Sequence, residues 1–129
     1  MMEEIYKRFS MDRFAKLCGI AIDDIKSGYA VTSVTINENH LNGVDITQGG
    51  LIYTLADVAF AAATNSYGPV AVGLTTNISF FRKSEAGNRL EAIAHVISKT
   101  RKTCSVDVEV TCEGQLIAKM TGTAYIKND

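Results

Sequence analysis

The sequence predicts an α+β fold in which one long central helix is wrapped by a curved antiparallel sheet. Two observations carry this expectation. Between Ile46 and Phe81 a single residue, Asp57, bears a charge, so the helix-forming stretch from Gly49 to Asn65 has no polar face. After Pro69 the chain alternates with period two over several long segments, as strands with one buried face do.

The elements follow in order. Ser10 reads as the N-cap of a short helix over 11–18, with Phe14, Leu17 and Cys18 as its apolar stripe and Gly19 as its left-handed stop. Ile20 to Ile36 reads as extended chain broken by a turn at Lys26-Ser27-Gly28. ENHLNGVDITQGG has the Asn, Gly and Asp content of a loop. It leads into GGLIYTLADVAFAAATNSYG, where Leu, Ala and Phe favour a helix over 49–65 and Gly68-Pro69 closes it. From Val70 to Phe81 the larger residues hold the even positions: Val70, Val72, Leu74, Ile78 and Phe80. Cys104, Val106, Val108, Val110 and Cys112 form the apolar phase of a later strand. Leu90, Ala92, Ala94 and Val96, then Leu116, Ala118 and Met120, are the inward sets of its neighbours. A helix apolar all round is expected to be buried on all sides, so the sheet must curve about it. That is the hot-dog arrangement, expected here as one domain over residues 1–129.

Composition narrows the function. The chain has 129 residues, 47% hydrophobic and 21% charged, with net charge −1, and lacks the basic excess of a nucleic-acid binder. Its longest apolar run, Leu51 to Ala63, is too short for a membrane span and is interrupted by Asp57. MMEEIYKRF lacks the basic-then-apolar pattern of a signal peptide. Cys18, Cys104 and Cys112 form no CxxC, and His40 and His95 have no metal-ligand spacing. The expectation is a cytoplasmic protein with no metal, cofactor, nucleic-acid or membrane partner.

Asp57 admits two readings. It is a structural carboxylate, bonded to loop amides or exposed by an unexpected orientation of the helix, or it is a catalytic one, acting as general base or nucleophile at the mouth of a cleft. Gly49 and Gly50 open the helix and leave first-turn N–H groups at the positive end of its dipole, where an oxyanion is stabilised. Gly49 and Asp57 are eight residues apart, about 12 Å along a helix. One carbonyl cannot touch both. If both serve one site, Gly49 comes from one subunit and Asp57 from its neighbour across a two-fold axis.

The stretch HLNGVDITQGGLIYTLADVAFAAATNS resembles the active-site region of the PaaI-type hot-dog acyl-CoA thioesterases of phenylacetic acid degradation, and NISFFRKSEAGNRLEAIAHV is similar to a strand and turn of that family. The likeness runs from about Phe14 to Ile126. It implies hydrolysis of an acyl-CoA, its acyl group small and aromatic (phenylacetyl or hydroxyphenylacetyl) or of medium chain length, to free acid and CoA. The CoA thioester is then the substrate, and no cofactor is implied. By the same resemblance Asp57 falls on the catalytic acid, which activates water or forms a transient anhydride. Gly49 falls on the oxyanion-hole glycine, Asn42 on a pocket-shaping Asn, and Arg82 at the start of the CoA groove. The family forms tetramers built from two dimers. Gln48 stands where the family often has His, and can donate a hydrogen bond or hold the loop but cannot carry a proton. Lys83 replaces a proline and adds a positive charge. Gly50 and Tyr53 complete the expected substrate contacts. Thr64, two turns beyond Asp57, is a further candidate for contact with the carboxylate or a water.

Pocket depth is expected from Tyr53, Phe60, Tyr67 and Phe81. Arg89, Lys99, Arg101 and Lys102 read either as contacts to CoA phosphates or as solvated strand ends. The cysteines on the apolar strand phase read as core, and His40 as a pocket or loop residue. Two other functions fit the same scaffold. A non-catalytic acyl-CoA or fatty-acyl binding module has no need of Asp57, and an enoyl-thioester hydratase would want a histidine where Gln48 stands.

Overall fold

The long helix forms over the range its composition predicts, Gly49–Asn65 (α3). The computed structural model describes residues 1–127; residues 128 and 129 of the expected domain lie outside the described residues. Before α3 come α1 (Met2–Ser10), α2 (Arg13–Cys18), β1 (Ala21–Lys26), β2 (Tyr29–Thr35) and a 3-10 turn at Glu38–His40. After it come β3 (Ala71–Phe80), β4 (Arg89–Lys99), β5 (Thr103–Cys112) and β6 (Gln115–Ile126). The strands form one antiparallel sheet in the order β1-β2-β4-β5-β6-β3. The core lies between this sheet and α3, with Leu55, Ala56, Ala59, Leu90, Ala92, Val108 and Met120 fully buried.

Small residues let α3 approach the sheet closely. Phe60 is the large exception, and glycines receive its ring. A Cβ at Gly73 would lie 3.4 Å from it, and one at Gly122 would lie 2.7 Å from it and 3.0 Å from the Thr75 carbonyl oxygen. Polar contacts fix the helix along its length. The buried Thr32 of β2 donates to the Leu55 carbonyl at 2.9 Å. At the far end Asn65 accepts from the Ala71 N–H, and Arg8 of α1 donates to both Asn65 Oδ1 (2.9 Å) and the Gly68 carbonyl (3.1 Å). A cation there also suits the negative end of the helix dipole.

The structure corrects the sequence reading in four places. The N-terminal segment is two helices, and the N-cap of the second is Asp12, whose side chain accepts from Ala15 N–H, while Ser10 ends the first. The expected stripe on that second helix is turned outward: Phe14 is 58% and Leu17 81% exposed, and Ala15 is the residue that packs inward. In β3 an extra residue, Leu74, interrupts the pairing with β6. Ala71 therefore faces the core before the bulge and Ile78 after it, leaving Val72 and Leu74 52% and 60% exposed. A second irregularity in β6 brings Ile117 into the core beside Ala118, with Leu116 only half-buried.

The fourth correction concerns α3, which is not enclosed on all sides. Eleven of its 17 residues are buried, and the rest, including Gly50, Thr54, Asp57 and Ala61, recur at helical spacing on one face. The sheet covers the other faces and leaves this one open.

Gly122→Ala is expected to lower stability by about 1–3 kcal/mol, because its methyl group meets both the Phe60 ring and backbone. Urea unfolding followed by circular dichroism checks this as a lower midpoint with an unchanged slope.

Candidate active site

The loop before α3 is built by its own short-range hydrogen bonds. Asn42 Oδ1 accepts from the N–H groups of Val44 (2.9 Å) and Ile46 (3.3 Å), and the Asn42 N–H donates to the Ile46 carbonyl. Asp45 adopts a left-handed conformation at φ 61° to close the turn. Buried Ser84 donates to Thr47 Oγ1 at 2.7 Å and accepts the Thr47 N–H through its carbonyl, tying the loop to the turn that carries Arg82 and Lys83. His40 takes both roles expected for it, holding the loop by its ring nitrogens and lining a cavity beside the helix start. Its Nδ1 accepts from the Asn37 N–H and its Nε2 reaches the Cys18 carbonyl at 2.8 Å, which places the ring proton on Nε2.

Gln48 caps the helix. Its Oε1 accepts the Gly50 N–H, and its carbonyl accepts from Leu51 (3.0 Å) and Ile52 (3.4 Å). Of the first-turn amides, only that of Gly49 lacks an acceptor among the described residues. The expectation of two uncovered amides at Gly49-Gly50 is thus reduced to one. A Cβ at Gly49 would press on the Phe80 ring at 3.3 Å.

Asp57 lies two turns further along, on the open face. The expectation of a carboxylate buried within its own chain is not met: in the single chain Asp57 is exposed. Its flanks are nevertheless crowded by α3 and β3. Desolvation by that surrounding protein raises its carboxyl above the usual carboxylate range, with Asp12 adding like-charge repulsion. The two descriptions are compatible, since the outer edge meets water while the sides meet protein.

Three concavities divide the expected site residues. Asn42, Gly49, Arg82 and Lys83 line one of about 360 Å³ together with Phe80 and Phe81. Gln48 and Gly50 line a second of about 480 Å³ on the other side of the helix start. Tyr53 and Asp57 line a third of about 290 Å³ against Gly73 to Thr76, where the Tyr53 hydroxyl bonds Thr76 Oγ1. Lys83 pairs with Glu85 at 3.3 Å. Thr64 does not join them. It is 1% exposed and its hydroxyl donates to the Ala61 carbonyl. Phe60 and Tyr67 do not set pocket depth either: the first is core, and the second packs on Gly28 and under Lys99. Arg89 pairs with Asp23 and Glu91, and His95 stacks edge-on with Tyr29. Burial raises the thiols of Cys104 and Cys112, which keeps them protonated and unreactive. The reading of the sequence passed over Phe14, Cys18, Leu41 and Leu51 of the second cavity and Thr75 and Thr76 of the third. The sequence carried no signal for the former, since Phe14 and Cys18 read there as the apolar stripe of a helix.

Comparison with known proteins identifies the family of the fold. The thioesterase superfamily profile matches residues 46–119, from the pre-helix loop into β6. Acyl-coenzyme A thioesterase PaaI of Escherichia coli is 35% identical over 113 residues, covering 88% of this chain and 81% of that one. The solved E. coli PaaI structure, from the phenylacetic acid degradation operon, superposes with a TM-score of 0.95 at 32% identity, covering 98% of this chain and 93% of that one. An Asn-to-Asp mutant of the phenylacetic acid degradation protein PaaI of Thermus thermophilus matches with a TM-score of 0.86 at 38% identity, over 88% and 98% of the two chains. A Streptococcus mutans protein bound to acetyl CoA matches with a TM-score of 0.81 at 26% identity, over 85% and 90%. The profile match over more than half of the chain and the identity to E. coli PaaI over most of both chains show that this chain belongs to the thioesterase superfamily.

Proposed function

We propose that this protein hydrolyses acyl-CoA thioesters at sites shared between two copies of the chain. The observation that carries the reading is Asp57, the one charge on the open face of a rigid apolar helix that also bears, at Gly49, an amide with no acceptor. The names of the E. coli relative and the acetyl CoA of the S. mutans relative support the substrate class.

Two copies meet by their open α3 faces in antiparallel fashion, so that Asp57 of each approaches Gly49 of the other. The edge strand β3 beside that face, with Val72, Leu74 and Phe80 exposed, supplies apolar area for the seam. Pairing of such dimers gives the tetramer implied by the family resemblance. Within each site the thioester carbonyl accepts the Gly49 N–H. Asp57 takes a proton from water as the water oxygen attacks the carbonyl carbon. The oxyanion then collapses and expels the CoA thiolate, which takes up a proton to leave as thiol, and the acid is released. Direct attack by the carboxylate, with hydrolysis of the resulting anhydride, gives the same products. Arg82 and Lys83 face the anionic nucleotide of CoA, and Asn42, its Oδ1 held by the loop, shapes the same cavity. Gln48 positions the helix start and moves no proton. Phenylacetyl, hydroxyphenylacetyl and medium-chain acyl groups are the substrates to assay, in a cytoplasmic setting.

Two pairs of variants test the reading. Proline is favoured at the first helical position, and Gln48 already has the extended conformation (φ −65°, ψ 132°) that precedes it. Gly49→Pro should therefore remove the N–H and keep the helix, lowering kcat by about 10²–10³-fold. Gly49→Ala keeps the N–H and meets the same Phe80 contact, so it is expected to retain far more activity. Equal losses in the two would remove the amide from catalysis.

Asp57→Asn should reduce thiol release by about 10²–10⁴-fold, and the parent's rate should rise with pH through a value above the usual carboxylate range. The same shift has a consequence for stability. A carboxyl raised in the folded chain resists ionisation there, so folding is weakened as pH rises through the ordinary value and up to the raised one. Below that window the penalty is absent, and above the raised value it is complete. Asp57→Asn is thus expected to melt higher than the parent at neutral pH, the gain vanishing in acid. Thermal melts across pH decide it, and a lower Tm in the variant would give Asp57 a structural role.

A further inference from the structure

We infer that the acyl group lies in the cavity between α2 and the first turns of α3, where Phe14 and Cys18 select uncharged, apolar acyl groups. The inference rests on the thioesterase reading above and locates the part of its substrate that the reading leaves unplaced. A thioester extends in two directions from its carbonyl carbon, sulfur on one side and acyl chain on the other. With the carbonyl on the Gly49 N–H, the cavity containing Asn42, Arg82 and Lys83 takes the CoA side, since its two cations suit phosphate. The cavity of about 480 Å³ on the opposite side of the helix start has Gln48 and Gly50, the neighbours of Gly49, in its wall. An acyl chain leaving the carbonyl away from sulfur enters there.

The lining decides the chemistry. Phe14, Cys18, Leu41 and Leu51 are apolar, and among the described residues no Asp, Glu, Lys or Arg of the same chain borders the space. Most of its polar groups are spent within the chain: both His40 nitrogens are bonded, Gln48 Oε1 holds Gly50, and the Thr54 hydroxyl donates to the Gly50 carbonyl at 2.8 Å. Burial keeps the Cys18 thiol protonated. A carboxylate at the far end of an acyl chain would lose water and meet no cation in the lining, only the side-chain amides of Asn39 and Gln48. The 58% exposed Phe14 ring, otherwise an unfavourable surface group, has a role as one wall of the slot.

The test compares binding of S-octyl-CoA, a thioether that cannot be hydrolysed, with that of free CoA by calorimetry in the parent, Cys18→Phe and Phe14→Ala. The affinity ratio of S-octyl-CoA to CoA should fall about tenfold when Phe fills the slot at Cys18, and about threefold when the Phe14 wall is removed. Phe14→Ala alters an exposed side chain and keeps the test alive if Cys18→Phe does not fold. In thiol-release assays the parent should favour octanoyl-CoA over glutaryl-CoA by about 100-fold in kcat/KM. A ratio unaltered in the folded variants, or equal turnover of the two thioesters, overturns the inference. Failure of the parent to release thiol from any acyl-CoA overturns the thioesterase reading instead, and the calorimetric ratio still decides where the acyl chain lies.

Discussion

The α3 helix is a rigid rod that holds the Gly49 amide and the Asp57 carboxylate about 12 Å apart along its axis. Every other feature of the site is subordinate to that separation. Phe60 locked against Gly73 and Gly122, Thr32 bonded to the Leu55 carbonyl, and Arg8 with Asn65 at the far end all prevent the rod from bending or sliding on the sheet. A rod that cannot bend cannot bring its own amide and carboxylate to one atom. The open face of α3 and the outward edge of β3 lie together on the side where a second rod has room to approach.

Much of the fold was legible because its signals are local. Helical composition from Gly49 to Asn65 and alternation in β4 and β5 each fix an element without reference to distant chain. The misses came where one residue changes the phase. Leu74 in β3 and the irregularity near Ile117 in β6 are single insertions, and alternation read from sequence continues straight through them. The first helix had signals of its own: Glu3 and Glu4 in its first turn, Lys7 and Arg8 in its last, and Ile5 and Phe9 one turn apart. Inspecting that segment only for a targeting pattern passes over them.

Asp57 was legible in a different way. Its isolation among apolar residues marked it correctly as exceptional, but the inference from apolar to buried assumed that one chain covers its own helix. The sheet covers the faces bearing Leu55, Ala59 and Ala62 and stops short of the stripe through Gly50, Thr54, Asp57 and Ala61. Sequence patterning reports that a face is meant to be covered. It does not report which molecule covers it.

The Gln48 position shows how a departure from a family pattern can leave the chemistry intact. A helix start offers four unpaired amides. Here the Gln48 side chain takes that of Gly50, and its carbonyl takes those of Leu51 and Ile52. The positive end of the dipole is thereby left with one outlet, the Gly49 N–H. A residue that caps in this manner acts by subtraction: it occupies the neighbouring donors and leaves the Gly49 N–H as the donor the proposed mechanism assigns to the oxyanion. Proton transfer is not asked of it, which is why an amide side chain serves at a position where an imidazole would have offered a second base. In the proposed mechanism the acid–base burden falls on Asp57 alone, and the crowding that raises its carboxyl would make it a stronger base in that role.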